Sequence, residues 1–405
     1  MVFSRFLIGI HGGAALALCP LWIREVSQPQ HRGVLCSLQN VAQAVVTLIG
    51  YIAGSFLVSD VNEYYTILQV VGITPTICLV ILMFQLPDTP HRYIAFDHNM
   101  EAGKQAVSFY HNVPEEKLEE SYRQIVEEWC QGGHHQEDSY PLKEILFGKR
   151  LEDFVTRKGF FLGVLAGASY AFTADDVLDS YSSEILEDIM TGQATTYVTI
   201  GIGFVLLFAS FGGCYLVESL GRRKTMIGGL IGTACSNALF VFFVIIYKVT
   251  LLKVLLIPII ICICLTKLFI GLGAGAPAWF LASELVCPAA RLNAQTVSTA
   301  TLLGLCGVVS LIFLLLDACI GSTAIWLVAT LPSLICAGIF MIYLPETRGK
   351  SQEEVILDLS NERIRLIFDP SMTLNSDATR VPAKNYGTMF KEDLGAIEYE
   401  KINLL

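Results

Sequence analysis

Apolar residues gather along the chain in nine blocks, 3–23, 34–57, 64–86, 158–181, 195–217, 226–247, 254–283, 294–316 and 322–344. About 20 such residues in a helix cover a hydrocarbon core about 30 Å thick, so each block predicts a transmembrane helix. A hydrophilic stretch of 71 residues, 87–157, divides the third block from the fourth, and a polar tail runs over 345–405. Within the long connection, 101–111 and 115–129 are charged and amphipathic, which predicts short surface helices. The organisation is all-α and polytopic. It comprises a three-helix bundle over 1–86, a loop over 87–157, a six-helix bundle over 158–344 and the tail. Arg5, an apolar run and small residues before Cys19 would also suit a signal peptide, but glycine-rich 8–15 and Pro20 favour a packing helix.

Composition agrees with the pattern. Only 16% of the residues are charged against 53% hydrophobic, with mean hydropathy +0.56. Soluble domains carry about 25% charged residues. A secreted domain, a nucleic-acid-binding module and most soluble enzymes are therefore excluded. The net charge of −10 sits mostly in the loop and tail and points to no partner. Most of the twelve cysteines fall in apolar blocks, where they read as free, small packing residues. No N-x-S/T sequon marks an outer loop.

Lysine and arginine set the topology. Placing the long loop and tail in the cytoplasm puts 23 of the 27 basic residues on that side. Met1 then lies outside.

The chain also repeats itself. Glu25 and Arg32 are seven residues apart after an apolar block, and so are Glu284 and Arg291. Pro87-Asp88-Thr89 follows the first arginine at much the same distance as Pro345-Glu346-Thr347 follows the second. Blocks one to three thus correspond to blocks seven to nine, and blocks four to six have no counterpart. The symmetry predicts two six-helix halves of which the first three helices are absent from this chain.

Five motifs carry a resemblance. They are Pro20-Leu-Trp-Ile-Arg-Glu25 with Arg32-Gly33, Leu86-Pro-Asp-Thr-Pro90 near Arg92, Glu218-Ser-Leu-Gly-Arg-Arg223, Pro277-Ala-Trp279 with Ser283-Glu284 and Arg291, and Leu344-Pro-Glu-Thr-Arg-Gly349. Together they resemble the sugar porter family of the major facilitator superfamily, which includes facilitative glucose and trehalose transporters. The resemblance implies two bundles joined by a cytoplasmic loop and transport by alternating access, with a small polar solute, a sugar, moved by facilitation or proton coupling. No nucleophile–base constellation stands out, so no covalent catalysis is expected, and no cofactor or metal.

Physically, the charged motif residues sit at helix ends where carboxylates and guanidiniums from different helices can meet and part. The resemblance implies that Arg222 and Arg223 engage Glu284 and Arg291 near Glu346, with Glu218 beside them, as a cytoplasmic gate. Glu25 and Arg32 would do the same with arginines of a loop not in this chain. Recognition of a solute needs polar groups at membrane depth. Gln39, Asn40 and Gln43 lie within about two helical turns, Asn40 at the family's substrate-contacting glutamine. Trp279 takes the family's tryptophan at the cavity floor, and Pro277 is expected to break its helix. Packing and inter-helix bonding are the plainer roles for all four.

The departures are as informative. The family's paired glutamines, then its glycine and asparagine, then its tyrosines fall on Tyr170, Ala171, Ala174, Asp176, Ser180 and Tyr181. Its later asparagine–tryptophan pair falls on Leu302-Leu303. Asp176 and Tyr181 remain as substrate candidates. Asp175 and Asp176, adjacent carboxylates in or beside a membrane block, would couple protons, favour a cationic solute or be wetted at the outer mouth. Gly349-Lys-Ser351 lacks the first glycine of a phosphate loop, and Gly271, Gly273 and Gly275 fit close helix packing. His134-His135 reads as solvated loop. In the tail, Tyr399-Glu-Lys-Ile402 and the terminal Leu404-Leu405 fit signals for sorting adaptors, at the plasma membrane or an endosomal or lysosomal membrane. Against transport stands a truncated, non-transporting paralogue acting as a membrane interaction partner or sensor.

Overall fold

The computed structural model describes residues 2–28, 31–57, 77–82, 84–97, 99–131, 141–147, 151–179, 193–287, 290–350 and 352–360. Every regular element among them is helical. Eight stretches are long and apolar enough to cross a membrane: Phe6–Val26, Arg32–Gly54, Phe154–Asp179, Ala194–Ser219, Arg222–Thr250, Lys253–Glu284, Arg291–Ile320 and Trp326–Tyr343. Each matches a predicted block to within about four residues at either end. The ninth block, 64–86, falls mostly outside the described residues.

The helices are α1 (Val2–Val26), α2 (Arg32–Leu57), α3 (Met100–His111), α4 (Glu115–Gln131), α5 (Leu142–Phe147), α6 (Leu151–Ala171), α7 (Gln193–Ser219), α8 (Arg222–Thr250), α9 (Leu256–Phe269), α10 (Gly275–Glu284), α11 (Arg291–Ile320), α12 (Leu331–Tyr343) and α13 (Gln352–Ser360). Helices α6 to α12 form one bundle. Against it α2 runs along α7 and α10, and α1 lies on α11. Tyr170, Leu230, Trp279 and Phe340 centre the core at one level, and Phe240, Ile263 and Phe313 at another.

Between apolar helices in lipid the hydrophobic effect gives little association, so close backbone approach matters. Gly229 of α8 faces Gly273 and Ala274 so tightly that an added Cβ would overlap their backbone atoms. Gly213 of α7 meets the Gly271 carbonyl in the same way. Backbone cannot swing aside as a side-chain tip can. Gly229→Leu is therefore expected to destabilise the bundle by about 3 kcal/mol, read as a lower midpoint of thermal unfolding in detergent. Gly228, with open space at its Cβ position, should tolerate alanine.

Besides the π-turn over Trp326–Thr330 that leads into α12, two membrane helices are irregular. Between α9 and α10 the chain widens into a π-turn over Ile270–Ala274, and Pro277 then sits inside regular helix. The expected break at Pro277 is thus corrected. Proline lacks an N–H and its ring crowds the carbonyl four residues back, here Gly273, so the distortion falls one turn earlier. The second irregularity was not expected. Helix α6 stops at Ala171, Ala174 adopts a left-handed φ of 67°, and a new helical turn starts at Asp175. Carbonyls freed inside a membrane need donors. Ser333 Oγ donates to the Phe172 carbonyl at 2.7 Å, Asn237 Nδ2 to Thr173 at 3.3 Å and Lys267 Nζ to Asp175 at 3.2 Å.

The connection folds as its amphipathic pattern predicts. Asn99 caps α3 by accepting from Ala102 N, and Asn112 ends it in a left-handed conformation. Val107, Tyr122 and Ile125 join α3 to α4. Gln28 Nε2 donates to the His111 carbonyl at 2.8 Å, and Trp22 meets Tyr110 edge-on at 6.1 Å, so α3 docks under α1. Helix α5 braces the other side, with Ile145 buried against Phe160 and Val286. At the tail's start, α13 buries Val355 and Leu359 in the main core.

Burial and the Arg32 guanidinium lower the His111 imidazole below its ordinary 6.5. The unfolded segment therefore binds the proton first as pH falls. The α3 docking is complete above about 6.5 and weakens below it, so the protection of α3 amides from deuterium exchange, taken relative to their intrinsic rate at each pH, should fall on mild acidification. Protection independent of pH would contradict this.

Candidate functional site

At one end of the bundle the charged motif residues converge. Arg222, 6% exposed, lies 3.6 Å by Nε from Glu284 Oε2 and 3.4 Å by Nη2 from Glu218 Oε1. Thr347 Oγ1 donates to Glu284 at 2.6 Å. Glu346 makes no guanidinium contact in this group. Its oxygens accept from the backbone N–H groups of Arg222 at 2.9 Å and Arg223 at 3.3 Å, so it caps the N-terminus of α8, where the helix dipole favours an anion. Gly221 at φ 94° makes the turn into that cap.

Two expected pairings change. Arg223, one residue further round the helix, points away from Glu284 and donates to the Met341 carbonyl at 2.6 Å. Arg291 lies within electrostatic reach of Glu25, which also accepts a hydrogen bond from Thr89. Glu25 thus faces an arginine present in this chain. Arg24 Nη1 donates to the Ser283 carbonyl at 2.8 Å. Arg32 starts α2, and Gly33 beside it has the Glu218 and Arg222 side chains where a Cβ would be. The clasp therefore joins α1 and α2 to the larger bundle.

Mid-membrane, the polar candidates divide into spent and unspent. Asn40, buried, donates to Ser210 Oγ at 3.2 Å and packs on Gly275, so its amide is committed to the helix interface. Gln43 Nε2 donates to Tyr170 OH at 3.1 Å and leaves Oε1 shielded and unpartnered. Gln39, one turn earlier on the same face, has both amide atoms shielded and unpartnered. Trp279, 4% exposed, packs against Tyr170 with ring centroids 5.3 Å apart, and its indole N–H has no partner. Gln295 Nε2 donates to the Trp279 carbonyl at 2.7 Å, leaving its own Oε1 unpartnered. Asp176 lies beside the Cys306 thiol and keeps Oδ2 shielded and without a partner among the described residues. Tyr181 lies outside the described residues. Beside this group a cleft of about 430 Å³ runs between α1 and α11, lined by Gly13, Ala17, Thr299 and Leu303.

Buried polar atoms ordinarily find partners, and leaving one bare costs about 1–3 kcal/mol. Among the described residues, five such groups on four helices around one core are left without partners. Tyr170 and Gln295 belong to it and were not among the residues singled out from the sequence.

Between this group and the opposite end the two sides meet again. Lys267, fully buried, reaches Asp175 Oδ1 at 2.6 Å and also Asp179 Oδ1. Tyr51 OH of α2 donates to Asp179 at 2.6 Å, and Tyr170 OH to Asp175 at 2.5 Å. The two sides of the molecule therefore touch at the clasp and again at the Lys267 cluster.

Comparison with known proteins completes the picture. The family model for the sugar (and other) transporters matches residues 1–358. The chain belongs to that family. Among its relatives, the glucose transporter GlcP of Staphylococcus epidermidis is 24% identical over 362 residues, 89% of this chain and 76% of the relative. Facilitated glucose transporter member 2 of solute carrier family 2 from Gallus gallus is 24% identical, over 88% and 64% of the two chains. A facilitated trehalose transporter Tret1-2 homolog of Drosophila sechellia is 26% identical, over 87% and 69%. The chain thus spans about two thirds to three quarters of these relatives' length. Of solved structures, the proton:xylose symporter XylE bound to 6-bromo-6-deoxy-D-glucose shares the fold at TM-score 0.70 and 18% identity, over 84% and 70%. Inward-open XylE from E. coli gives 0.58 at 17%. This is a multi-pass integral membrane protein of a transporter family and not an enzyme.

Proposed function

We propose that the protein carries a sugar across the membrane by alternating access. The observation that carries the reading is the set of shielded, unpartnered amide, indole and carboxyl atoms on Gln39, Gln43, Trp279, Gln295 and Asp176. A sugar hydroxyl both donates and accepts, so it can satisfy amides and an indole that have no partner among the described residues. Asn40 shapes this site through Ser210. The clasp of Arg222, Glu218 and Glu284, with Glu25 opposite Arg291, holds the cytoplasmic side shut, and Glu346 positions Arg222 by capping its helix. Loop 87–157 and tail 345–405 lie in the cytoplasm, where the tail offers sorting adaptors their signals, and the protein works at the plasma membrane. The names of the relatives favour transport over a non-transporting membrane partner.

Binding tests this without requiring turnover. D-glucose titrated against the purified chain should change tryptophan fluorescence saturably. Gln43→Ala, which removes an amide facing the site, should weaken binding by about tenfold, the equivalent of one hydrogen bond of about 1–1.5 kcal/mol. No saturable response to D-glucose, D-xylose or trehalose would overturn the reading.

A further inference from the structure

The turn that follows the break in α6 carries Asp175, Asp176 and Asp179, and the structure sets one cation, Lys267, against all three. Lys267 lies midway along its 32-residue span and has nothing left to offer. Its three N–H groups go to Asp175 Oδ1, the Asp175 carbonyl and Asp179 Oδ1. Tyr170 supplies Asp175 with a further donor and Tyr51 supplies Asp179. Both carboxylates are therefore met by a cation and a hydroxyl.

Asp176 is not. From α11 it meets only the Cys306 thiol, a weak donor, and its Oδ2 is shielded and without a partner among the described residues. The other titratable groups around it are Asp175 and Asp179 on its own segment, Tyr170 on α6, Tyr51 on α2 and Lys267 on α9. Helices α8 and α12 present Asn237 and Ser333, neither of which titrates. Among the described residues no set of three His, Cys, Asp or Glu side chains converges as metal ligands. An ionised Asp176 would have to share with two other carboxylates a cation whose N–H groups are all taken, an arrangement that protonation relieves.

We propose that Asp176 is a proton-binding site. In this closed geometry its carboxyl is neutral, and a proton from water occupies the bare Oδ2. Asp176 rides on the same turn as Asp179, so parting the Tyr51–Asp179 contact moves it toward water, where the proton leaves to form hydronium and the carboxylate is hydrated. The site makes solute movement proton-coupled, an inference that rests on the transport reading above.

Infrared difference spectroscopy of the full chain in lipid, without solute, reads the proton directly. At neutral pH the wild type should show a protonated-carboxyl C=O band that shifts in heavy water. Asp176→Asn should lose it and Asp179→Asn should keep it, with circular dichroism confirming that both variants are folded. A band absent from the wild type, or retained in Asp176→Asn, would overturn the proposal. So would a band that sodium abolishes at constant pH, which would assign the place to a metal cation. In proteoliposomes, an inward proton gradient should accelerate D-xylose entry in the wild type and not in Asp176→Asn. Equal entry with and without the gradient would overturn the coupling. No flux of any sugar, with the Asp176 band intact, would overturn the transport reading while leaving the proton site standing.

Discussion

Lys267→Met should destabilise the protein by about 3–5 kcal/mol at neutral pH, the largest loss expected of any side-chain truncation here. Two independent arguments reach that figure. Removing one member of a buried pair strands the other, and Lys267 and Asp175 are both 1% exposed at the side chain. Alternatively the stranded carboxyl takes up a proton, and forcing one on at neutral pH costs an ordinary aspartate about 4 kcal/mol. The break in α6 adds to the loss, since Lys267 also holds the Asp175 carbonyl. The double variant Lys267→Met/Asp175→Asn removes both charges and should regain most of the stability. Thermal unfolding of the three proteins in detergent measures this. A single variant as stable as the wild type would show that the ion cluster is wetted rather than buried.

Arg222→Ala should open the clasp and shift the conformational equilibrium by about 1–3 kcal/mol, roughly 5- to 150-fold. The magnitude follows from intermediate burial. An exposed ion pair contributes about 0–1 kcal/mol and a buried one 3–5. Here the side chains are 8% and 16% exposed for Arg222 and Glu284, and the separations of 3.4 and 3.6 Å exceed those of tight charged bonds. A clasp made loosely can release. Arg223→Ala, whose guanidinium among the described residues meets only the Met341 carbonyl, should shift the equilibrium far less. Spin labels on α3 and α5, which ride on the two sides, report the separation. Equal effects of the two variants would place the latch elsewhere.

The hydropathy pattern was enough to place eight membrane helices, because twenty apolar residues in succession have one economical solution in lipid. The clasp was legible for a related reason. Charges at helix ends recur at matching spacings, and Arg222, Glu284 and Glu218 do meet. Direction at residue resolution was less accessible. Arg222 and Arg223 are adjacent in sequence, and only the packing of α8 on α12 decides which one faces Glu284.

The break after Ala171 left no sign in its own segment, which has no proline there and takes its left-handed turn at an alanine. Its causes lie elsewhere, in Ser333, Asn237 and Lys267, each more than sixty residues away. Lys267 did carry a signal, a lone lysine in an apolar run, but its partners could be found only once α6 and α9 were packed together. The tail signals, His134-His135 and Tyr181 lie outside the described residues.

The central claim is that this chain moves a sugar between two alternately closed sides. Uptake of radiolabelled D-glucose into proteoliposomes containing the full chain tests it most directly. The account predicts saturable entry above that of protein-free liposomes, reduced by Gln43→Ala and by Trp279→Leu, both of which remove groups from the site. Entry no faster than into protein-free liposomes, for D-glucose, D-xylose and trehalose alike and with the protein shown to be folded, would contradict it.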